Sequence, residues 1–255
     1  MTGDARANCR AIFAAAALIV LACAHAAWAA PESLRQGLFG HEGFEAREFG
    51  APPVARYISQ DGDGFVVDRT QGRLLLKFDN SPEVWALQAQ PAPRGDVIYK
   101  NDLGEPVLRA TRLGGVTLFT EDRPGGSAAA LAGGGTPLRL VPLGPQDLLE
   151  RLAQASAKAS RASHRLISFN ADATPASSAL IADAATVASE AVVRMTRRPD
   201  GRALLARVKQ VRLSEGRKPG VQLTKGALQI TVAPAQGLAG RPSSERILAV
   251  AQTSR

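Results

Sequence analysis

The chain has 255 residues, with 31 Lys and Arg against 23 Asp and Glu, a net charge of +8, and only two cysteines. That length can bury a sizeable core in one large domain or two small ones, and aromatic residues at 5% argue against broad stacking platforms for sugars or bases. The charge is uneven: Ala30 to Leu138 carries 11 basic and 14 acidic residues, a net of −3, whereas Arg139 to Arg255 carries 18 and 8, a net of +10. Such asymmetry points to contact with an anionic surface, and scattered solvation charge on a chain rich in Ala, Arg, Gly and Pro is the plainer explanation.

The first element is a leader. Arg6 and Arg10 precede an apolar run from Ala11 to Ala24, and Ala27-Trp28-Ala29 places small residues at the minus-three and minus-one positions of a cleavage site. This is the three-part pattern of a secretory signal peptide; the apolar run is shorter than the roughly 20 residues a membrane span needs. The expectation is a periplasmic or secreted protein. The alternative is a lipoprotein acylated at Cys23 in Val20-Leu21-Ala22-Cys23. Cleavage after Ala29 would leave 226 residues and remove both Cys9 and Cys23. Without a thiol, the mature chain forms no disulfide and has no Cys nucleophile or Cys-ligated zinc.

Residues 54 to 122 predict a series of short strands separated by turns. The strands centre on Val54–Ile58, Phe65–Val67, Leu74–Phe78, Val84–Leu87, Val97–Tyr99, Val107–Thr111 and Val116–Phe119. Their spacing predicts an antiparallel β sandwich or open barrel. Trp85, in an apolar strand, is expected to be buried. Asp61-Gly-Asp-Gly64 fits a hairpin turn and lacks the later ligands of a calcium loop. The glycines between 124 and 137 predict a linker without regular structure.

Beyond it, a helix is predicted to open at Gly144-Pro145, with Leu148, Leu152, Ala155 and Ala159 on one face. A second is predicted to open at Thr174-Pro175 and to carry a stripe of Leu180, Ala184, Val187, Ala191 and Met195, widened by Ile181, Ala188 and Val192. That breadth predicts burial on more than one side. Leu204 to Leu213 is compatible with helix or strand. Val221–Leu223 and Ala227–Val232 predict strands joined at Lys225-Gly226, and Ser243 to Val250 predicts a short serine-capped helix. The expected fold class is α+β. Its parts are a signal peptide over 1–29, a β-rich unit over 30–123, a linker over 124–137, and a smaller basic α+β unit over 138–255 that contains the helices.

Motifs for chemistry are sparse. The chain has no phosphate-binding loop, nucleophile elbow, Ser-x-x-Lys pattern or helical His-Glu-x-x-His zinc site, and the expectation is no cofactor and no metal. His41 stands beside Glu42 among loops, and His164 is expected to open a strand in a structural role. The stretch from Arg94 to Gly115 is the densest in polar groups. Asp96, Tyr99, Asp102 and Glu105 are its candidate catalytic residues, since paired carboxylates suit acid–base work. A polar hairpin with solvated charges accounts for the same residues.

Arg56-Tyr57, Glu83-Val-Trp85, the stretch from Pro93 to Asp102, Leu113 to Phe119 and Thr174 to Ala185 together resemble a secreted bacterial family, domain of unknown function 4908. The resemblance covers most of the mature chain and implies a Gram-negative envelope setting, without an activity or a site residue. The favoured reading is a non-catalytic envelope binding or scaffolding protein. Its basic C-terminal half would meet anionic lipid, lipopolysaccharide or another envelope polymer, and not nucleic acid. Arg194, Arg197, Arg198 and Arg202, grouped at a helix end, are the candidate binding residues. The alternative is a periplasmic hydrolase using carboxylates of the Asp96–Glu105 segment. The sequence leaves the oligomeric state open.

Overall fold

The computed structural model describes residues 51–253, all of which belong to one compact unit, Arg47–Arg255. The leader, Cys9, Cys23 and His41 lie outside the described residues.

Eight antiparallel strands follow one another in a meander: β1 (Val54–Ser59), β2 (Gly64–Asp68), β3 (Leu74–Phe78), β4 (Val84–Pro91), β5 (Val97–Lys100), β6 (Pro106–Ala110), β7 (Val116–Leu118) and β8 (Ser127–Gly134). Side chains alternate in and out along each strand. Tyr57, Phe65, Val67, Leu76, Tyr99, Leu108 and Leu118 point inward and fill the interior. Tyr57 stacks on Phe65 with ring centroids 5.6 Å apart. The Asp61 to Gly64 stretch is the β1–β2 turn, as the sequence predicts.

The β unit is neither a sandwich nor an open barrel but a closed barrel, because β8 pairs with both β7 and β1. The closing strand is the segment expected to be an unstructured linker. Its alanines and glycines have weak strand propensity of their own. The ladder groups of β1 and β7, which would otherwise be open sheet edges, impose the strand from both sides.

The second half is an α+β layer. Its sheet has the order β11-β12-β10-β9, formed by β9 (Ser168–Asp172), β10 (Gln210–Glu215), β11 (Gly220–Thr224) and β12 (Ala227–Val232). Strands β9, β10 and β12 are parallel and β11 is antiparallel to β12. One face packs Phe169, Val211, Leu213, Leu228 and Ile230 under helices α1 (Pro145–Ser163), α2 (Ser178–Thr196) and α4 (Ser244–Thr253). The other face exposes Asn170, Arg212, Gln222 and Gln229, aligned across the four strands. Among the described residues no helix is long and apolar enough to cross a membrane.

The helix faces read from the sequence are the buried ones. All four residues named on α1 and all eight on α2 are buried. Helix α2 starts at Ser178, later than expected, because Thr174 and Ser177 exchange hydrogen bonds in a turn ahead of it. The ambiguous 204–213 stretch holds both elements: the end of a short helix α3 (Gly201–Ala206) and the first part of β10. His164 opens no strand. It caps the C-terminus of α1 in the left-handed conformation at φ 53°.

Candidate functional site

The four candidate catalytic residues do not converge. Tyr99 is in the barrel core, 1% exposed. Asp96 is ion-paired with Arg109, whose Nε donates to Asp96 Oδ2 at 2.9 Å, and this hydrogen bond is the main cause of a lowered Asp96 pKa. Asp102 accepts from the Ser243 N–H at 3.0 Å and the Ser243 hydroxyl at 2.6 Å. Asp102 and Glu105 each line a hollow, but different ones, of about 510 and 490 Å³. The Asn101 to Gly104 turn joins β5 to β6 and is the polar hairpin that the sequence also allows. One strand periodicity sends Tyr99 inward, whereas Asp102 and Glu105 belong to the turn, so a shared cavity is geometrically closed to the set.

The polar groups that do converge lie in the seam between barrel and helices. Arg241-Pro-Ser-Ser-Glu-Arg246 runs into α4. Ser243 Oγ accepts the N–H of Arg246 at 3.0 Å as the helix cap. Two barrel carboxylates reach the same helix end. Glu83 accepts from the N–H and hydroxyl of Ser244, and Asp102 accepts from those of Ser243. The positive pole of α4 favours carboxylates there. Arg241, 6% exposed, pairs with Asp183 of α2 and donates to the Val84 carbonyl at 2.7 Å. Its guanidinium also lies 3.7 Å from Glu83. Burial raises the Glu83 pKa, and Arg241 and Ser244 oppose that rise.

Beside this clasp is a cleft of about 490 Å³ lined by Phe78, Trp85, Phe119, Glu105, Arg194 and Glu245, among others. Trp85, expected to be buried, is only half-buried, because it stands on the barrel wall and packs edge-on against Phe78, with centroids 6.5 Å apart. Asn101 Nδ2 bridges the two carboxylates, donating to Glu245 Oε2 at 2.6 Å and Glu105 Oε2 at 3.0 Å. Burial raises the Glu245 pKa to about 7; Arg194 opposes the rise, and the charges of Glu105 and Glu83 add to it. A wider hollow of about 610 Å³ lies between barrel and α2; the cleft is the stronger candidate because an aromatic wall and a bridged pair of carboxylates converge in it. In the sequence, Glu245 reads only as part of a capped helix. The one signal for more was the crowding of donors and acceptors in Arg241 to Arg246. Among the described residues no group of three or more His, Cys, Asp or Glu is arranged to hold a metal.

The second candidate is a basic edge. Strands β9, β10 and β12 begin in register at Ser168, Gln210 and Ala227. The segments leading into them therefore meet at one edge of the sheet. The Lys209 N–H donates to the Gly226 carbonyl at 2.7 Å, and the Arg165 guanidinium donates to the Val208 carbonyl. Across 161–168, 197–210 and 224–227, eight cations accompany one carboxylate: Arg161, Arg165, Arg197, Arg198, Arg202, Arg207, Lys209 and Lys225, against Asp200. Asp200 is ion-paired with Arg198. Leu166 projects from the same edge, 80% exposed. Of the four arginines read from the sequence, Arg197, Arg198 and Arg202 are exposed, at the turn from α2 into α3. Arg194 turns into the seam instead, donating to Ser244 Oγ at 2.8 Å and pairing with Glu121 and Glu245.

A family model described as a domain of unknown function, DUF4908, matches residues 33–251. No curated protein and no solved structure matches the chain.

Proposed function

The chain belongs to the DUF4908 family, whose description names no activity, and from the chain's own geometry we propose a non-catalytic binding protein of the cell envelope whose basic edge meets an anionic lipid surface. The observation that carries this reading is the meeting of three cation-rich segments where β9, β10 and β12 begin in register, with Arg165, Lys209 and Lys225 next to the strand starts. Exposed charges act over about 8 Å at physiological salt, so attraction depends on such clustering. Part of the cluster has a local role: Arg165 and Arg207 donate to the backbone carbonyls of Val208 and Ala251. Arg197, Arg202, Lys209 and Lys225 remain exposed and point to an external partner. Leu166 favours a bilayer over a soluble acidic polymer, since an exposed leucine among cations suits the headgroup–acyl boundary.

Sedimentation with vesicles tests this. Binding to phosphatidylglycerol-containing vesicles that falls as salt rises, with little binding to phosphatidylcholine alone, supports the reading. Equal or absent binding to both contradicts it.

A further inference from the structure

The basic edge leaves the cleft beside α4 without a role. We infer that this cleft is a second binding site, for a small organic ammonium with an apolar or aromatic body.

The body is specified by the walls. Phe78 and Trp85 meet edge to face at 85°, and Phe119, Val107, Pro106 and Pro124 complete an apolar lining. A volume of about 490 Å³ suits a small molecule. Aromatic faces also attract a cation within about 6 Å.

The head is specified by a surplus of acceptors. Asn101 Nδ2 already donates to both Glu105 and Glu245. Arg194, the cation among the lining residues, is committed to Ser244, Glu121 and Glu245. A head entering here therefore meets carboxylate oxygens and no unspent guanidinium. A carboxylate head would be repelled and a hydroxyl would satisfy little of the surplus. An ammonium supplies both donors and charge.

Glu245 supports the same assignment. It is held largely protonated below about pH 7 by burial, with Arg194 opposing and Glu105 and Glu83 reinforcing. An entering cation takes the place of that proton, so binding tightens as pH rises through about 7.

The experiment is isothermal titration calorimetry of the full chain with 2-phenylethylammonium, 2-phenylethanol and 3-phenylpropanoate at about pH 8 and again at about pH 6. The ammonium should bind about tenfold tighter than the alcohol and the carboxylate weakest, with the ammonium's advantage shrinking at the lower pH. Glu245→Gln should weaken the ammonium about tenfold and leave the alcohol unchanged. Trp85→Leu, which leaves the carboxylates in place, should weaken both. An alcohol or carboxylate that binds as tightly as the ammonium overturns the ligand class. Failure of all three to bind overturns the site itself.

Discussion

Glu83, immediately before β4, holds Ser244 at the start of α4 by two hydrogen bonds, from the backbone N–H at 2.9 Å and the hydroxyl at 2.5 Å. The two residues are 161 positions apart, one on the barrel and one on the terminal helix. The barrel and the α+β layer are therefore joined by a buried polar clasp, completed by Arg241 and Asp183.

Breaking that clasp from the cationic side should be costly. Arg241→Ala leaves Glu83 buried without its guanidinium and the Val84 carbonyl without its donor. A loss of roughly 3–5 kcal/mol is expected. Urea unfolding followed by circular dichroism measures it, and a loss under about 1 kcal/mol would mean the clasp is peripheral to stability.

Glu245 should give the fold an unusual pH response. Its pKa rises from 4.5 to about 7 on folding. Between those values the native state holds more protons than the unfolded chain. This contribution to stability is thus complete below about pH 4.5 and is lost as pH rises through about 7. The full effect is at most about 3 kcal/mol. Glu245→Gln should flatten that part of the curve and stabilise the protein above about pH 7, as read by unfolding midpoints across the range. An unchanged pH profile would count against a raised Glu245 pKa.

Two aromatic truncations should separate core from cleft. Phe65 is fully buried and stacked on Tyr57, so Phe65→Ala should cost roughly 3–5 kcal/mol. Trp85 is half-buried on the cleft wall, so Trp85→Ala should cost less, below about 3 kcal/mol. Denaturation midpoints of the two variants give the order directly, and the reverse order would place Trp85 in the core.

Gly201 marks the reversal between α2 and α3. A Cβ there would lie 2.2 Å from the Met195 carbonyl oxygen, so Gly201→Ala forces the two helices apart. A cost of roughly 1–3 kcal/mol is expected in thermal or urea unfolding, and a neutral outcome would show that this turn shifts freely.

Local elements were legible where one periodicity dominated. The stripes on α1 and α2, the Lys225-Gly226 hairpin and the serine cap of α4 are all written in neighbouring residues. Lys225 and Gly226 take φ of 50° and 84°, which suits such a turn. Strand β8 was hidden because the partner that closes the barrel, β1, lies far away in sequence and its own residues are small. The cleft was hidden for the same reason. Trp85, Glu105, Arg194 and Glu245 come from four separated stretches, and tertiary packing alone brings them together. The basic edge was half legible. Net charge and the 197–202 cluster were visible, but the contribution of Arg165, Lys209 and Lys225 depends on parallel strands starting in register.

The most direct measurement is a matched charge reversal. Lys209→Glu with Lys225→Glu changes the basic edge, whereas Arg73→Glu with Arg112→Glu makes the same net change at exposed barrel positions. If the edge meets an anionic bilayer, the first pair should lower partitioning onto phosphatidylglycerol-containing vesicles by about tenfold or more, at roughly 1 kcal/mol per lost cation. The second pair should retain most of the binding. Equal loss from both pairs would mean that overall charge, and not this edge, governs the interaction, and no loss from either would contradict the account.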